Sequence, residues 1–274
     1  MDSLIVNEGR AHVRHYLLDV GSTFGMGANG PREWSEGYEY LFEGDKLLKR
    51  LMSFGLYLQA WQTVPYQQHR ALGRFQGDRF DPDAWKTRVP VSAVLRARDD
   101  DNFWAARRVM AFSDELIRAL VKVGRFSDPT AEKLLAEALI KRRDKIGQVF
   151  LGRINPLVNF ALTPSGRLTF ENAAVKFGGA KAPPAYAALW SVFDNNTGTS
   201  QALQETRGSS ESLPAPGLPE VPGSFVAVEV RAIDPAHASW AKPVRATFRR
   251  VNREWKLIGL ERTDETEPTV FAKR

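Results

Sequence analysis

The segment HYLLDVGSTFG, residues 15–25, places an aspartate between a hydrophobic stretch and a glycine-rich turn. Asp19 follows a run of β-branched, aromatic and aliphatic residues that predicts a strand over 12–18, and four glycines lie from Gly21 to Gly30. A carboxylate at the end of a buried strand, beside a flexible backbone, suits a Mg²⁺ ion that bridges nucleotide phosphates. An alternative stays open: Asp19 caps the turn through its side chain, and the glycines only permit tight geometry.

Other acidic and histidine residues give weaker signals. The run Asp99–Asp101 offers carboxylates to Ca²⁺, but it lacks the alternate spacing of a calcium loop, so a helix cap is favoured. Asp78, Asp81 and Asp83 lie among turn-forming residues and predict turn caps or an ion-pair network with nearby arginines. The four histidines show neither His-x-x-x-His nor HExxH spacing, so no zinc site is predicted.

The segment from 224 to 262 has eight lysines and arginines against four acidic residues, and it includes Trp240 and Trp255. One face of a sheet with this composition could bind an anionic polymer or a protein partner. Outward-facing charges on a half-buried sheet explain the same composition. The eight basic residues are Arg231, Lys242, Arg245, Arg249, Arg250, Arg253, Lys256 and Arg262.

The strand and turn around Asp19 resemble the metal-binding strand and turn of the atypical kinase fold shared by phosphatidylinositol-kinase-like and HipA-like enzymes. In that fold a hydrophobic strand ends in Asp-Phe-Gly or a near variant, and Val20 stands here in place of the Phe. Residues 12–200 are also similar to a group of uncharacterised bacterial proteins that carry this kinase-like lobe. The similarity lies in VRHYLLDVGSTFG, GRFQGDRFDPDAWK, FSDELIRALV, RRDKIGQVFLGRINPL and FDNNTG. The resemblance implies that Asp19 is a Mg²⁺ ligand and that Mg²⁺ and ATP are the cofactors.

The same resemblance shows what this sequence lacks. In that fold a catalytic loop with an Asp and an Asn precedes the metal-binding Asp by roughly twenty residues, whereas only 18 residues precede Asp19. No glycine-rich phosphate loop and no lysine-bearing strand fit in front of it. We therefore expect a fragment or remnant of a kinase-like phosphotransferase that is not catalytic by itself.

Composition narrows the remaining function classes. The chain has 274 residues, 43% hydrophobic and 26% charged, as in ordinary globular proteins. It has no cysteine, which excludes disulfides, thiolate zinc sites, iron–sulfur clusters and thiol nucleophiles. The net charge of +6 is spread along the chain, so nucleic acid is not an expected partner. No apolar run of membrane-spanning length and no export signal occur, and the sequence assigns no compartment.

Helical patterns dominate the first half of the chain. Apolar spacing predicts a helix over 45–58 with one face on a core. Capping residues predict a helix from Asp101 to Met110 and a second helix that begins after Ser113 and ends before Gly124. A third predicted helix begins at residue 127 or 128, has Pro129 in its first position and ends at Asn155-Pro156. The residues between, 59–101, predict an irregular segment held down by aromatic anchors. These anchors are Trp61, Tyr66, Phe75, Phe80 and Trp85.

After Pro156 the pattern changes to alternation, which predicts strands. The expected strands are 158–162, 167–177, 186–193, 225–233, 244–251 and 255–260, the last two forming a hairpin. Residues 198–223 are rich in Gly, Ser and Pro and predict a flexible linker or a long exposed loop. The sequence thus predicts an α+β protein. We expect a mainly helical domain over residues 1–156, which the resemblance implies is kinase-C-lobe-like, and an antiparallel β-rich region over 157–274.

Overall fold

The computed structural model describes residues 2–7, 10–15, 23–27, 29–64, 69 and 71–262. Helices and antiparallel sheets each account for 29% of the chain, which confirms the α+β class. The helices are α1 (Gly44–Met52), α2 (Ser92–Leu95), α3 (Asp99–Met110), α4 (Asp114–Val123), α5 (Pro129–Phe150) and α6 (Ala173–Lys176). The first strands are β1 (Asp2–Asn7), β2 (Arg10–His15), β3 (Met26–Gly27), β4 (Gly30–Pro31), β5 (Leu157–Leu162) and β6 (Arg167–Asn172). The later strands are β7 (Ala185–Asp194), β8 (Thr199–Gly208), β9 (Ser212–Pro214), β10 (Phe225–Ile233), β11 (Val244–Val251) and β12 (Glu254–Arg262). None of the helices described here is long and apolar enough to span a membrane.

The chain divides into two compact units that alternate along the sequence. The first unit comprises Met1–Leu95 and Ser113–Arg142, and the second comprises Arg96–Phe112 and Arg143–Arg274. These ranges differ from the expected 1–156 and 157–274, because α3 and the end of α5 pack with the strands that follow them. Phe103 and Ala106 of α3 belong to the same buried cluster as the sheet residues.

The second unit is built on a five-stranded antiparallel sheet in the order β12-β11-β10-β7-β8. Alternation along β10 buries Val226, Val228 and Val230 on one face, and Trp190 and Phe248 from the neighbouring strands extend that face. A three-stranded sheet, β5-β6-β9, completes the unit. The prediction from alternation is confirmed for strands 225–233 and 244–251. It is also confirmed for the last hairpin, whose turn contains Asn252 with φ +57°.

A buried asparagine holds three segments of this unit together. The Asn155 amide donates hydrogen bonds to the carbonyl oxygens of Val230 (3.1 Å), Trp240 (3.1 Å) and Lys242 (2.8 Å). Its Oδ1 accepts from the Leu157 N–H at 3.2 Å. Because Asn155 is buried, its amide supplies hydrogen-bond donors to backbone carbonyl oxygens away from water.

Two of the helices whose caps the sequence predicts, α4 and α5, begin in the first unit. Ser113 Oγ accepts from the Leu116 N–H at 3.1 Å at the start of α4, and Asp128 Oδ1 accepts from the Thr130 N–H at 2.8 Å at the start of α5. Both starts agree with the prediction, because a cap depends only on residues within one turn. The helices share a small apolar cluster, formed by Ile117, Val121, Leu135 and Ala136.

The prediction for 45–58 is wrong in two respects. Helix α1 ends at Met52, where Phe54 and Gly55 take left-handed backbone conformations (φ +51° and +82°), and none of its residues is buried. Leu51 and Met52 are each 73% exposed. Helical spacing shows that apolar residues share a face, but it does not show that another element covers that face.

The linker predicted over 198–223 is wrong for half of its length. Residues 199–208 form strand β8 along β7, and residues 212–214 form β9 against β6, with Leu213 fully buried. Polar residues suffice for β8 because it is an edge strand whose side chains are largely exposed. Its backbone hydrogen bonds to β7 do not depend on apolar side chains.

Smaller differences concern element ends. Helix α3 begins at Asp99, two residues before the predicted start, and Asp101 accepts from the Arg98 N–H at 3.1 Å. The predicted strand 167–177 divides into β6 and α6, because Asn172 caps a helical turn by accepting from the Val175 N–H at 3.2 Å.

Candidate functional site

The structure describes the segments that precede and follow Asp19 in the sequence. Residues 16–22, which include Asp19, lie outside the described residues, so the Mg²⁺ prediction stays a prediction. Before them, β1 and β2 form an antiparallel hairpin in register from Asp2 with His15 to Asn7 with Arg10. Asp19 therefore follows the end of a paired strand by four residues.

Beyond Asp19, the glycine-rich turn packs against another backbone segment. Gly25 has φ +75°, and its carbonyl accepts from the N–H groups of Arg32 (2.8 Å) and Arg74 (3.3 Å). A Cβ on Gly73 would lie 2.1 Å from the carbonyl carbon of Gly25. At Gly73, and at Gly25 against it, the missing side chain thus permits tight packing of backbone on backbone.

Two arginines close to this turn are engaged in structural contacts. The Arg74 guanidinium stacks 3.8 Å from the centre of the Trp34 ring and donates to the Arg32 carbonyl. Arg32 Nε donates to the Met26 carbonyl at 3.0 Å, and its guanidinium pairs with Glu36 at 3.4 Å. These contacts fix the described part of the turn.

A carboxylate network lies in the same unit. Glu43 accepts from Lys86 Nζ at 2.9 Å and from the Tyr40 N–H at 2.9 Å, and it pairs with Lys46 at 3.1 Å. Burial alone would raise the pKa of Glu43, but the hydrogen bonds from Lys86, Tyr40 and Lys46 together lower it to about 2. The bond to Glu43 in turn raises the pKa of Lys86.

The predicted acidic clusters form caps and ion pairs. Asp100 pairs with Arg98 at 2.7 Å, and Asp99 faces Arg153 at 3.6 Å. Asp81 accepts from the N–H groups of two residues in its own turn, and Asp78 pairs with Lys141 at 2.6 Å. No group of three or more His, Asp or Glu side chains that could hold a metal ion is found in the described part of the chain.

The histidines in the described parts outside β2 pair with acids. His69 Nε2 lies 2.8 Å from Asp128, and His237 Nδ1 lies 2.9 Å from Asp234. The backbone N–H of Thr130, followed by the bond from His69, lowers the pKa of Asp128. The bond from His237 lowers the pKa of Asp234.

The basic residues of 224–262 are divided between the two faces of the large sheet. Arg262 lies on the core side, donates to the Leu157 carbonyl at 2.7 Å and stacks 4.8 Å from the Phe103 ring centre. Burial lowers the pKa of Arg262 to about 10. Arg250 stacks against Trp255, also on that side.

On the outer face of the sheet, acidic residues interrupt the basic ones. One cross-strand row runs from Glu205 through Leu189, Glu229 and Arg245 to Glu261. The next charged row brings Arg249 directly opposite Lys256. The cations of this segment therefore do not form one continuous basic face.

The second unit contains a cluster of polar and aromatic side chains that no motif in the sequence predicted. They line a cavity of about 200 Å³, which we call the Trp104 cavity. A signal for it was present in α3, where Trp104, Arg107 and Arg108 follow one another at the helical spacing of one face. The lining residues are Trp104, Arg107, Arg108, Ala111, Val158, Asn159, Glu171, Ala173, Lys176 and Phe177.

Comparison with known proteins assigns no relative to this chain. No family model matches it, and no curated protein matches it either.

Proposed function

We propose that this chain carries the metal-binding strand and turn of a kinase-like phosphotransferase, with Asp19 as the Mg²⁺ ligand. The observation that supports the proposal is the β1–β2 hairpin, since β2 ends four residues before Asp19. A carboxylate that follows a paired strand this closely in sequence matches the strand-and-turn arrangement of the fold that the sequence resembles.

The chemistry proposed for Asp19 is limited to binding. A carboxylate oxygen is a hard ligand that suits Mg²⁺ bridging the phosphates of ATP. Phosphoryl transfer also requires a base that accepts a substrate proton and a second metal ligand, and the 18 residues before Asp19 carry no such catalytic-loop pattern. We therefore expect the chain to bind Mg-ATP weakly and to transfer no phosphoryl group by itself.

Calorimetric titration with Mg-ATP tests this function. The wild-type chain should give saturable heat that EDTA abolishes, and Asp19→Asn should remove it. Asp45→Asn, which changes an acidic residue in the first turn of α1, is the matched control and should leave the heat unchanged. Equal heat from the wild type and Asp19→Asn would contradict the proposal.

A second function has its own supporting observation: the end of the β11–β12 hairpin is basic. Arg249 and Lys256 lie directly opposite each other and are exposed, and Arg253 is exposed at the turn. Like charges in direct cross-strand register are destabilising unless an anion lies near. This favours a binding module that recognises an acidic protein or another anionic partner through the β-rich region.

Salt dependence distinguishes the two functions. Retention on a heparin column, used as an anionic polymer, should fall steeply as ionic strength rises. The double variant Arg249→Gln/Lys256→Gln should elute at lower salt than the wild type. Arg118→Gln, which removes an exposed charge from α4, should elute like the wild type. Unchanged elution of the double variant would refute this function, and EDTA should have no effect on elution.

A further inference from the structure

The Trp104 cavity lies within the second unit and is formed by four elements that also build its core, α3, β5, β6 and α6. Helix α3 contributes Trp104, Arg107 and Arg108, strands β5 and β6 contribute Asn159 and Glu171, and α6 follows directly after β6. Phe103 and Ala106 of α3 are fully buried, and Phe103 lies one helical turn before Arg107 on the same side of the helix. The arginines are therefore placed by a helix whose adjoining face is fixed in the core.

The charges around the cavity do not cancel. Glu171 Oε2 accepts from Lys176 Nζ at 2.7 Å and from Asn159 Nδ2 at 2.9 Å. The bonds from Lys176 and Asn159 lower the pKa of Glu171, so it is ionised at neutral pH. Since Lys176 balances Glu171, Arg107 and Arg108 leave a net charge of about +2 at the cavity.

Neither of these arginines pairs with a carboxylate among the described residues. Arg107 makes a long contact of 3.5 Å to Asn159 Oδ1 and lies 6.0 Å from the Phe103 ring centre. Arg108 stacks 5.3 Å from the Trp104 ring centre. Burial and the adjacent Arg108 lower the pKa of Arg107, as expected when a half-buried cation has a cationic neighbour.

The backbone at Asn159 is shaped to hold these side chains. Asn159 has φ +56°, and the register of β5 and β6 shifts between Val158 and Ala161. Such a bulge redirects one side chain away from the regular alternation. Here it turns Asn159 toward both Arg107 and Glu171, where its amide contacts each of them.

One wall of the cavity is aromatic. Trp104 is 59% exposed, and Phe177 and Val158 also line the space. An exposed indole beside two guanidinium groups provides a surface for a flat ring next to donors for an oxyanion. A volume of about 200 Å³ is below that of common drug-sized pockets, so it suits a small molecule or one head group.

We propose that the Trp104 cavity binds a small organic phosphate monoester, with the phosphate held by Arg107 and Arg108 and its ring or chain lying against Trp104. A dianionic phosphate matches the net charge of the cavity. Guanidinium groups offer it paired N–H donors in a planar arrangement. The site needs neither Asp19 nor a metal ion, so it is independent of the proposed kinase-like function.

Calorimetry with phenyl phosphate, in the presence of EDTA, tests the proposal. We expect saturable binding of one molecule per chain, tighter than that of inorganic phosphate by about threefold to tenfold because stacking adds to the charge contacts. Arg107→Gln should weaken binding about tenfold, since bonds to charged groups are strong. Arg253→Gln, a charge-matched change outside the cavity, and Asp19→Asn should leave it unchanged.

Further variants separate binding from folding. Arg107→Lys keeps the charge and most of the side-chain packing but loses the planar donor pair, so it should weaken binding while the thermal midpoint stays at the wild-type value. Trp104→Ala should weaken the binding of phenyl phosphate but not that of inorganic phosphate.

Absence of saturable heat, or equal affinity of the wild type and both folded Arg107 variants, would overturn the proposal. Loss of binding in Arg253→Gln alone would place the anion at the β11–β12 hairpin and would also overturn it.

Discussion

Trp190, Trp240 and Phe248 are fully buried in the second unit, whereas Phe54, Leu56 and Leu58 of the first unit are 95%, 84% and 69% exposed. The second unit gains its stability from a continuous apolar core between a sheet and its covering segments. It can therefore hold polar groups such as those of the Trp104 cavity at its surface without depending on them.

The first unit has a smaller apolar cluster and relies more on polar and cation–aromatic contacts. Arg142 lies 3.8 Å from the Phe75 ring centre and 4.4 Å from that of Phe80, and its Nε donates to the Gln76 carbonyl at 2.7 Å. Glu43 joins Lys86 and Lys46. An apolar sequence pattern therefore stabilises a unit only where the fold covers it, and side-chain cross-links can hold a segment that lacks such cover.

Truncation of Trp240 should produce the largest effect. Its ring is fully buried and stacks 4.1 Å from His237, and its Nε1 donates to the Gly152 carbonyl at 2.9 Å. Trp240→Ala should lower the free energy of unfolding of the second unit by about 3–5 kcal/mol. Urea unfolding, with hydrogen exchange of β10 to identify the unit, measures it. A loss below about 1 kcal/mol would show that this core is not the source of stability.

Asn155→Ala should come next, with a loss of about 2–3 kcal/mol, because it leaves buried carbonyls without a donor. The same unfolding experiment reports it. Asn196→Ala, at the exposed turn after β7, is the control and should change stability by less than about 0.5 kcal/mol. Similar losses in both variants would contradict the role assigned to the Asn155 amide.

Glu43 links stability of the first unit to pH. Its pKa of about 2 in the folded state lies below the ordinary value of 4.5, so its stabilising effect is present above pH 4.5 and is lost as the pH falls toward 2. Glu43→Gln should cost roughly 2 kcal/mol at neutral pH and flatten this acid dependence. Unfolding of both proteins between pH 5 and 2 tests it. Parallel pH profiles would show that Glu43 is not the group responsible.

Exposed apolar residues of the first unit should produce the smallest effect. Phe54→Ser and Leu51→Ser should each change the free energy of unfolding by less than about 0.5 kcal/mol, since neither side chain is buried. Ile117→Ser, in the covered cluster of the same unit, is the contrasting variant and should be clearly destabilising. A loss above about 1 kcal/mol in Phe54→Ser would mean that its face is covered in solution.

Local signals determined much of the fold in advance. The caps at Ser113 and Asp128 and the alternation over 225–233 and 244–251 each depend on residues within one turn or one strand, so the sequence alone was sufficient for them. The α+β class followed from the change of period after Pro156. The metal-binding role of Asp19 stays a prediction, because its residues lie outside the described ones.

Contacts between distant segments decided the rest. The leucines of α1 are exposed, and the polar residues of 199–208 pair with β7. Both outcomes depend on which segments lie nearby in space, and no local sequence pattern contains that information. The Trp104 cavity is the clearest case, because Arg107, Asn159 and Lys176 are far apart in sequence and meet only through the packing of α3 on β5, β6 and α6. Sequence determines the conformation of short segments through local hydrogen bonds and periodicity. The neighbours of each side chain, and therefore its burial and charge environment, are set by the tertiary structure.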